Sequence, residues 1–218
     1  MAGNDRRFSV RVLAMKVELF ADYAITDDAC QASTGRTLSA WLADLDARSD
    51  LKGKRQDALS WLYDGMGRGK DRWWPTTVWV VHEAGKGVVQ KDGRPEGYNI
   101  CVTKTVAAPV DKVFAAWHGE PFTEWFGDAG SVDADRNITD ATGNLGDAVR
   151  VRMDKDLRYK WKTAGLDVPT DLDIAFVEKA CKTTITLTHS RIQTREEADG
   201  LRRAWIEAFV RLKELLEL

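Results

Sequence analysis

Residues 170–218 read TDLDIAFVEKACKTTITLTHSRIQTREEADGLRRAWIEAFVRLKELLEL, and this stretch decides the fold. Leu172, Ile174 and Phe176 alternate with polar or small neighbours, and Ile185 and Leu187 alternate with Thr184, Thr186 and Thr188. A period of two marks strands with one buried face. From Thr194 the period changes. Leu201, Trp205, Ala208, Leu212 and Leu215 recur at helical spacing, which predicts a final helix of about five or six turns with an indole in its apolar stripe. Strands that run into a long C-terminal helix predict a curved sheet gripping that helix, with a cavity between them.

The preceding segments fit this plan. Tyr98 to Val106 reads as a strand, and Pro109 opens a helix containing Val113, Phe114 and Trp117. Glu120 to Phe126 makes a second short helix bearing Phe122, Trp125 and Phe126. Val149, Val151 and Met153 alternate with Arg150 and Arg152, and Tyr159, Trp161 and Thr163 alternate with Arg158, Lys160 and Lys162. A half-buried sheet is implied, apolar on its concave face and basic on the other.

Upstream, Gly85 to Gly97 is rich in Gly, Lys and Asp and reads as a linker. Before it, Thr37 is an N-cap for a helix over 38–48 with Leu38, Trp41, Leu42 and Leu45 on one face. A second helix over 54–63 turns Leu59 and Leu62 inward and ends in the glycines of 65–69. A third element from Asp71 carries Trp74, Val78 and Val81; its β-branched run leaves helix and strand both open. Residues 6–23 mix the Phe8, Val10, Val12 alternation with helical spacing and stay unassigned.

Composition bounds the function. The chain has 218 residues with a formal charge of -2, which gives no global attraction to nucleic acid or acidic membranes. Cys30, Cys101 and Cys181 match neither a disulfide framework nor a CxxC metal pattern, so a reducing cytoplasm is the expected setting. No apolar run approaches membrane-spanning length. Nine tryptophans favour pockets or interfaces with aromatic walls.

The order of strand, two short helices, antiparallel strands and long helix resembles the START-like, Bet v 1-type helix-grip superfamily (SRPBCC), in the branch related to the Aha-type heat-shock-protein ATPase activator domain. The residues that carry the likeness are Val106-Ala107-Ala108-Pro109-Val110-Asp111-Lys112-Val113-Phe114, Trp125-Phe126, Thr186-Leu187-Thr188-His189, Trp205 and Leu212. Thr34-Gly35-Arg36-Thr37 with Trp41, Trp73-Trp74 and His82-Glu83 resemble an uncharacterised helical domain that precedes helix-grip domains in some bacterial proteins. The expected fold class is therefore α+β. Its expected parts are an unassigned segment over 1–25, a small helical domain over 26–90 and a helix-grip domain over 98–218. Met15 is an alternative start of the chain.

Chemical motifs are sparse. His82-Glu83 lacks a second histidine because position 86 is Lys, so no zinc-protease helix is read. The glycines of 65–69 lack a phosphate-loop context. No metal, cofactor or catalytic residue is assigned. Three function classes remain. The first, which the resemblance implies, is non-catalytic binding of a small hydrophobic or aromatic molecule. Its expected lining is Trp117, Phe122, Trp125, Phe126, Met153, Tyr159, Trp161, Phe176, His189 and Trp205. The second is a protein-interaction module like the chaperone activators. The third is a cyclase or hydrolase using Tyr159, His189 or Glu124 for acid-base work, although no carboxylate pair falls at a recognisable spacing. Neither nucleic acid nor membrane is expected as a partner, and the sequence does not fix the oligomeric state.

Overall fold

The computed structural model describes residues 15–67, 73–118, 120–127 and 130–218. The Phe8, Val10, Val12 alternation and Arg68, Gly69 and Lys70 lie outside the described residues. The chain divides into two compact units. One comprises Cys101–Thr188 and Arg202–Leu218 with the described residues up to Val17; the other comprises Glu18–Ile100 and His189–Leu201.

The second unit holds helices α1 (Asp27–Thr34), α2 (Leu38–Ala47), α3 (Arg55–Gly65) and α4 (Trp73–Gly85). Thr26 and Thr37 cap α1 and α2 by accepting from the N–H groups of Ala29 and Ala40 at 3.2 and 3.1 Å, so each cap satisfies an orphan donor. Cys30, Trp41, Leu45, Ala58, Leu62, Trp74, Val78 and Trp79 form the core here. The third element is thus a helix despite its β-branched run, because it buries Trp74, Val78 and Trp79 in this core and Pro75 stands in its first turn. α1 was not legible from hydrophobic period, since Cys30 is its one buried residue.

Residues 86–97 form a hydrogen-bonded loop. Gln90 N donates to Arg94 O at 2.8 Å, Arg191 pairs with Asp92, and Gln193 Nε2 donates to Pro95 O at 3.5 Å. Against desolvation, which pushes it up, the Arg94 backbone N–H and then the guanidiniums of Arg191 and Arg94 hold the Asp92 carboxyl far below its usual range.

The remaining elements are β1 (Tyr98–Val106), α5 (Val110–Ala115), α6 (Glu120–Phe126), β2 (Ser131–Val132), β3 (Ile138–Thr139), β4 (Leu145–Arg152), β5 (Asp156–Lys162), β6 (Thr170–Lys179), β7 (Lys182–Ile192) and α7 (Arg195–Leu216). The sheet runs β1-β7-β6-β5-β4-β3-β2. This antiparallel sheet and long terminal helix make a helix-grip fold. Thr194 caps α7 by accepting from Glu197 N at 3.2 Å, and Glu196 and Glu197 suit the positive end of its dipole.

Leu157, Tyr159 and Trp161 of β5 face inward with Leu172 and Ile174 of β6. The opposite face carries a charge ladder. Arg158 pairs with Asp173 at 2.5 Å, Lys160 with Asp171, and Arg150 and Arg152 with Asp156. Each basic residue expected on this face from β4 and β5 therefore meets an aspartate across the strands, apart from Lys162, whose nearest, Asp167, is 3.9 Å away.

Candidate functional site

Within the sheet-bearing unit, the aromatic residues meet at the inner face of the sheet. Trp161 is positioned by the β4–β5 register, which sets it opposite Gly146; a Cβ on Gly146 would approach the Trp161 ring to 3.3 Å. α6 contributes Phe122, Trp125 and Phe126, and Trp117 follows directly on α5. Ring centroids lie 5.5 Å apart for Trp161 and Trp205, 6.3 Å for Phe126 and Trp161, 4.9 Å for Trp117 and Trp125, and 6.0 Å for Trp117 and Phe176. Phe122 stacks on Phe126 at 4.5 Å. Trp117, Phe122, Trp125, Phe126, Trp161, Phe176 and Trp205 thus form one array, and Tyr159 is buried on the same sheet face. Phe209, which the sequence reading passed over, extends the array 6.2 Å from Trp117.

Two expectations change. A cavity was expected between the sheet and the helix, yet Trp161 and Trp205 are in ring contact. Edge-on and tilted packing lets large rings fill the space. Met153 does not join the lining and is 74% exposed. The β4–β5 register shifts between Ala148 and Arg150, and Met153 follows the end of β4, next to Asp154 with its left-handed φ of 55°. Val151 still stands opposite the inward Leu157, so Met153 is exposed because it lies past the end of the paired strand and not because the phase has changed.

His189 belongs to the other unit, where it is buried, and burial alone pulls its imidazole down to about 3. Glu124 is exposed on α6. The acid-base trio of Tyr159, His189 and Glu124 is thus not gathered in one unit. Among the described residues, no three His, Cys, Asp or Glu side chains come together as a metal site.

Polar groups in the aromatic array differ in how well they are satisfied. Trp125 Nε1 donates to Ala116 O at 2.7 Å. Trp117 is 1% exposed, and its Nε1 has no acceptor among the described residues. Burial pushes the Tyr159 hydroxyl up to about 12, with the Arg136 charge opposing, so Tyr159 stays protonated at neutral pH. Burial, then Arg136, lowers the His118 imidazole.

The second unit holds a buried ion pair. Arg195 Nε donates to Asp199 Oδ2 at 2.6 Å, and both side chains are fully buried. Arg195 Nη1 donates to Tyr23 Oη and Thr77 Oγ1 at 3.1 and 3.0 Å, and the guanidinium lies 4.6 and 4.5 Å from the Tyr23 and Trp73 rings. The one sequence signal for this pair is its i, i+4 spacing on α7, which exposed helical pairs share.

Residues 107–217 match the family model described as Activator of Hsp90 ATPase homolog 1-like protein. No curated protein matches the chain. Several solved structures are similar to it. CalU16 from Micromonospora echinospora is 20% identical with a TM-score of 0.48, over 54% of this chain and 75% of that one. The Aha1 dimer from Colwellia psychrerythraea is 17% identical with a TM-score of 0.49, over 56% and 97%. An HSP90 activator from Plasmodium falciparum is 19% identical with a TM-score of 0.47, over 52% and 91%.

Proposed function

We propose, from the premise that the chain belongs to the family of Activator of Hsp90 ATPase homolog 1-like proteins, that it binds a small flat hydrophobic molecule at the aromatic array without catalysing a reaction on it. The observation that carries this reading is the Trp117 indole N–H, buried among apolar rings with no acceptor among the described residues while its neighbour Trp125 is satisfied. An unsatisfied buried donor costs ~1–3 kcal/mol, and a bound carbonyl or hydroxyl oxygen would recover it. Because Trp161 and Trp205 touch, the ligand enters beside Trp117 rather than between those two rings. Titration calorimetry with 2-naphthamide tests this. Wild type should bind, Trp117→Phe should weaken binding by ~3–10-fold for one lost hydrogen bond, and Trp41→Phe should leave it unchanged. Absence of binding at millimolar probe, or equal effects of the two substitutions, would reject the reading.

A second reading, a protein-interaction module, is favoured by Val149, Val151 and Met153. All three are exposed on or beside β4, whose register with β3 covers Leu145 and Gly146 alone. Three free cysteines suit a reducing cytoplasm, and no described helix is long and apolar enough to cross a membrane. The aspartate-paired basic face argues against nucleic acid as a partner, since phosphate binding needs unopposed charge.

A further inference from the structure

We propose that the buried Arg195–Asp199 pair is hydrated, and that Arg195 Nη2 and Asp199 Oδ1 together form a closed site for one ordered water molecule. Every group involved belongs to the unit made of Glu18–Ile100 and His189–Leu201, so the site is independent of the aromatic array.

The polar atoms of the pair are unevenly served. Arg195 Nε donates to Asp199 Oδ2 at 2.6 Å, and the same oxygen accepts from the Asp22 backbone N–H at 3.0 Å. Arg195 Nη1 donates to Tyr23 Oη and Thr77 Oγ1 at 3.1 and 3.0 Å. Nε, Nη1 and Oδ2 are therefore satisfied. Nη2 and Oδ1 are buried and have no partner among the described residues. One ion pair thus holds an unmet donor on its cation and an unmet acceptor on its anion.

In a side-on pair, a guanidinium offers two parallel N–H groups to the two oxygens of one carboxylate. Here the bond through Nε forms and the one between Nη2 and Oδ1 does not, while Oδ2 is shared with the Asp22 N–H. Nη2 and Oδ1 each neighbour an atom that is already in contact, so one small molecule can reach both. It must accept from an N–H and donate to a carboxylate oxygen. An anion would be repelled by Asp199 and a cation by Arg195. Both side chains are 0% exposed, which leaves no opening for a larger ligand. Water is the smallest molecule that both accepts and donates, and internal waters occupy sites where buried polar groups lack protein partners. Left dry, either atom would carry its desolvation with nothing to offset it.

A crystal structure of the full chain, at a resolution that shows internal waters, tests the site. One water should lie about 2.7–3.2 Å from both Arg195 Nη2 and Asp199 Oδ1. In solution, ¹⁷O relaxation dispersion counts the long-lived internal waters. Arg195→Met with Asp199→Leu removes both partners and should lower that count by one. Thr77→Val removes an acceptor of Nη1 alone and should leave the count unchanged. A direct bond between Nη2 and Oδ1 with no water beside them, equal counts in wild type and the double variant, or a water lost in Thr77→Val would overturn the proposal.

Discussion

Arg195 and Asp199 show how much a single contact can bear. Each charge is fully buried, and their mutual hydrogen bond with the Tyr23 and Thr77 hydroxyls is what offsets desolvation. Arg195→Met strands the carboxylate and should cost about 3–5 kcal/mol in urea unfolding, while Arg195→Met with Asp199→Leu should recover most of the loss. If the double variant is no more stable than the single one, the pair is not what makes the single substitution costly. His189 makes a pH-dependent contribution. Its folded pKa of about 3 lies below the unfolded value of ~6.5, so the unfolded chain takes up the proton first as pH falls. The stability held above pH ~6.5 is therefore lost progressively toward pH 3. Between pH 7 and 5, wild type should lose about 2 kcal/mol more than His189→Gln, and parallel pH profiles for the two proteins would contradict this.

Among the elements, β1 depends on its entry. Gly97 has φ 66°, and a Cβ there would run into the carbonyl oxygen of Ile192. Gly97→Ala should destabilise by about 2–4 kcal/mol, combining left-handed strain with a backbone clash that no side-chain rotation relieves; a melting temperature equal to wild type would refute it. How far each element was legible depended on its neighbours. Tyr159 and Trp161 could be placed inward because charged residues flank both, and Ile185 and Leu187 because threonines do. Met153 could not, since the end of β4 at Arg152, just before it, leaves no mark in residue type. α1 had too little buried surface for period to report.

At the scale of the whole molecule, separability of the helical segment over 26–90 from 98–218 remains a proposal, and it makes a defined prediction. A fragment starting at Glu96 lacks Tyr23, Thr77 and Asp92, the partners of Arg195 and Arg191. It should still unfold cooperatively but at a lower temperature than the full chain, and Arg195→Met with Asp199→Leu should stabilise it; an insoluble or molten fragment would reject separability. Burying ~200 Å² of apolar ligand offers about 5 kcal/mol before immobilisation costs, so useful affinity also requires a polar contact. The indole N–H region of a ¹⁵N correlation spectrum, assigned by Trp→Phe substitutions, observes that contact directly. On titration with 2-naphthamide, the Trp117 signal should move downfield and saturate while that of Trp41 stays in place. A Trp117 signal that does not move at saturating probe, or indole signals that all shift alike, would contradict the account.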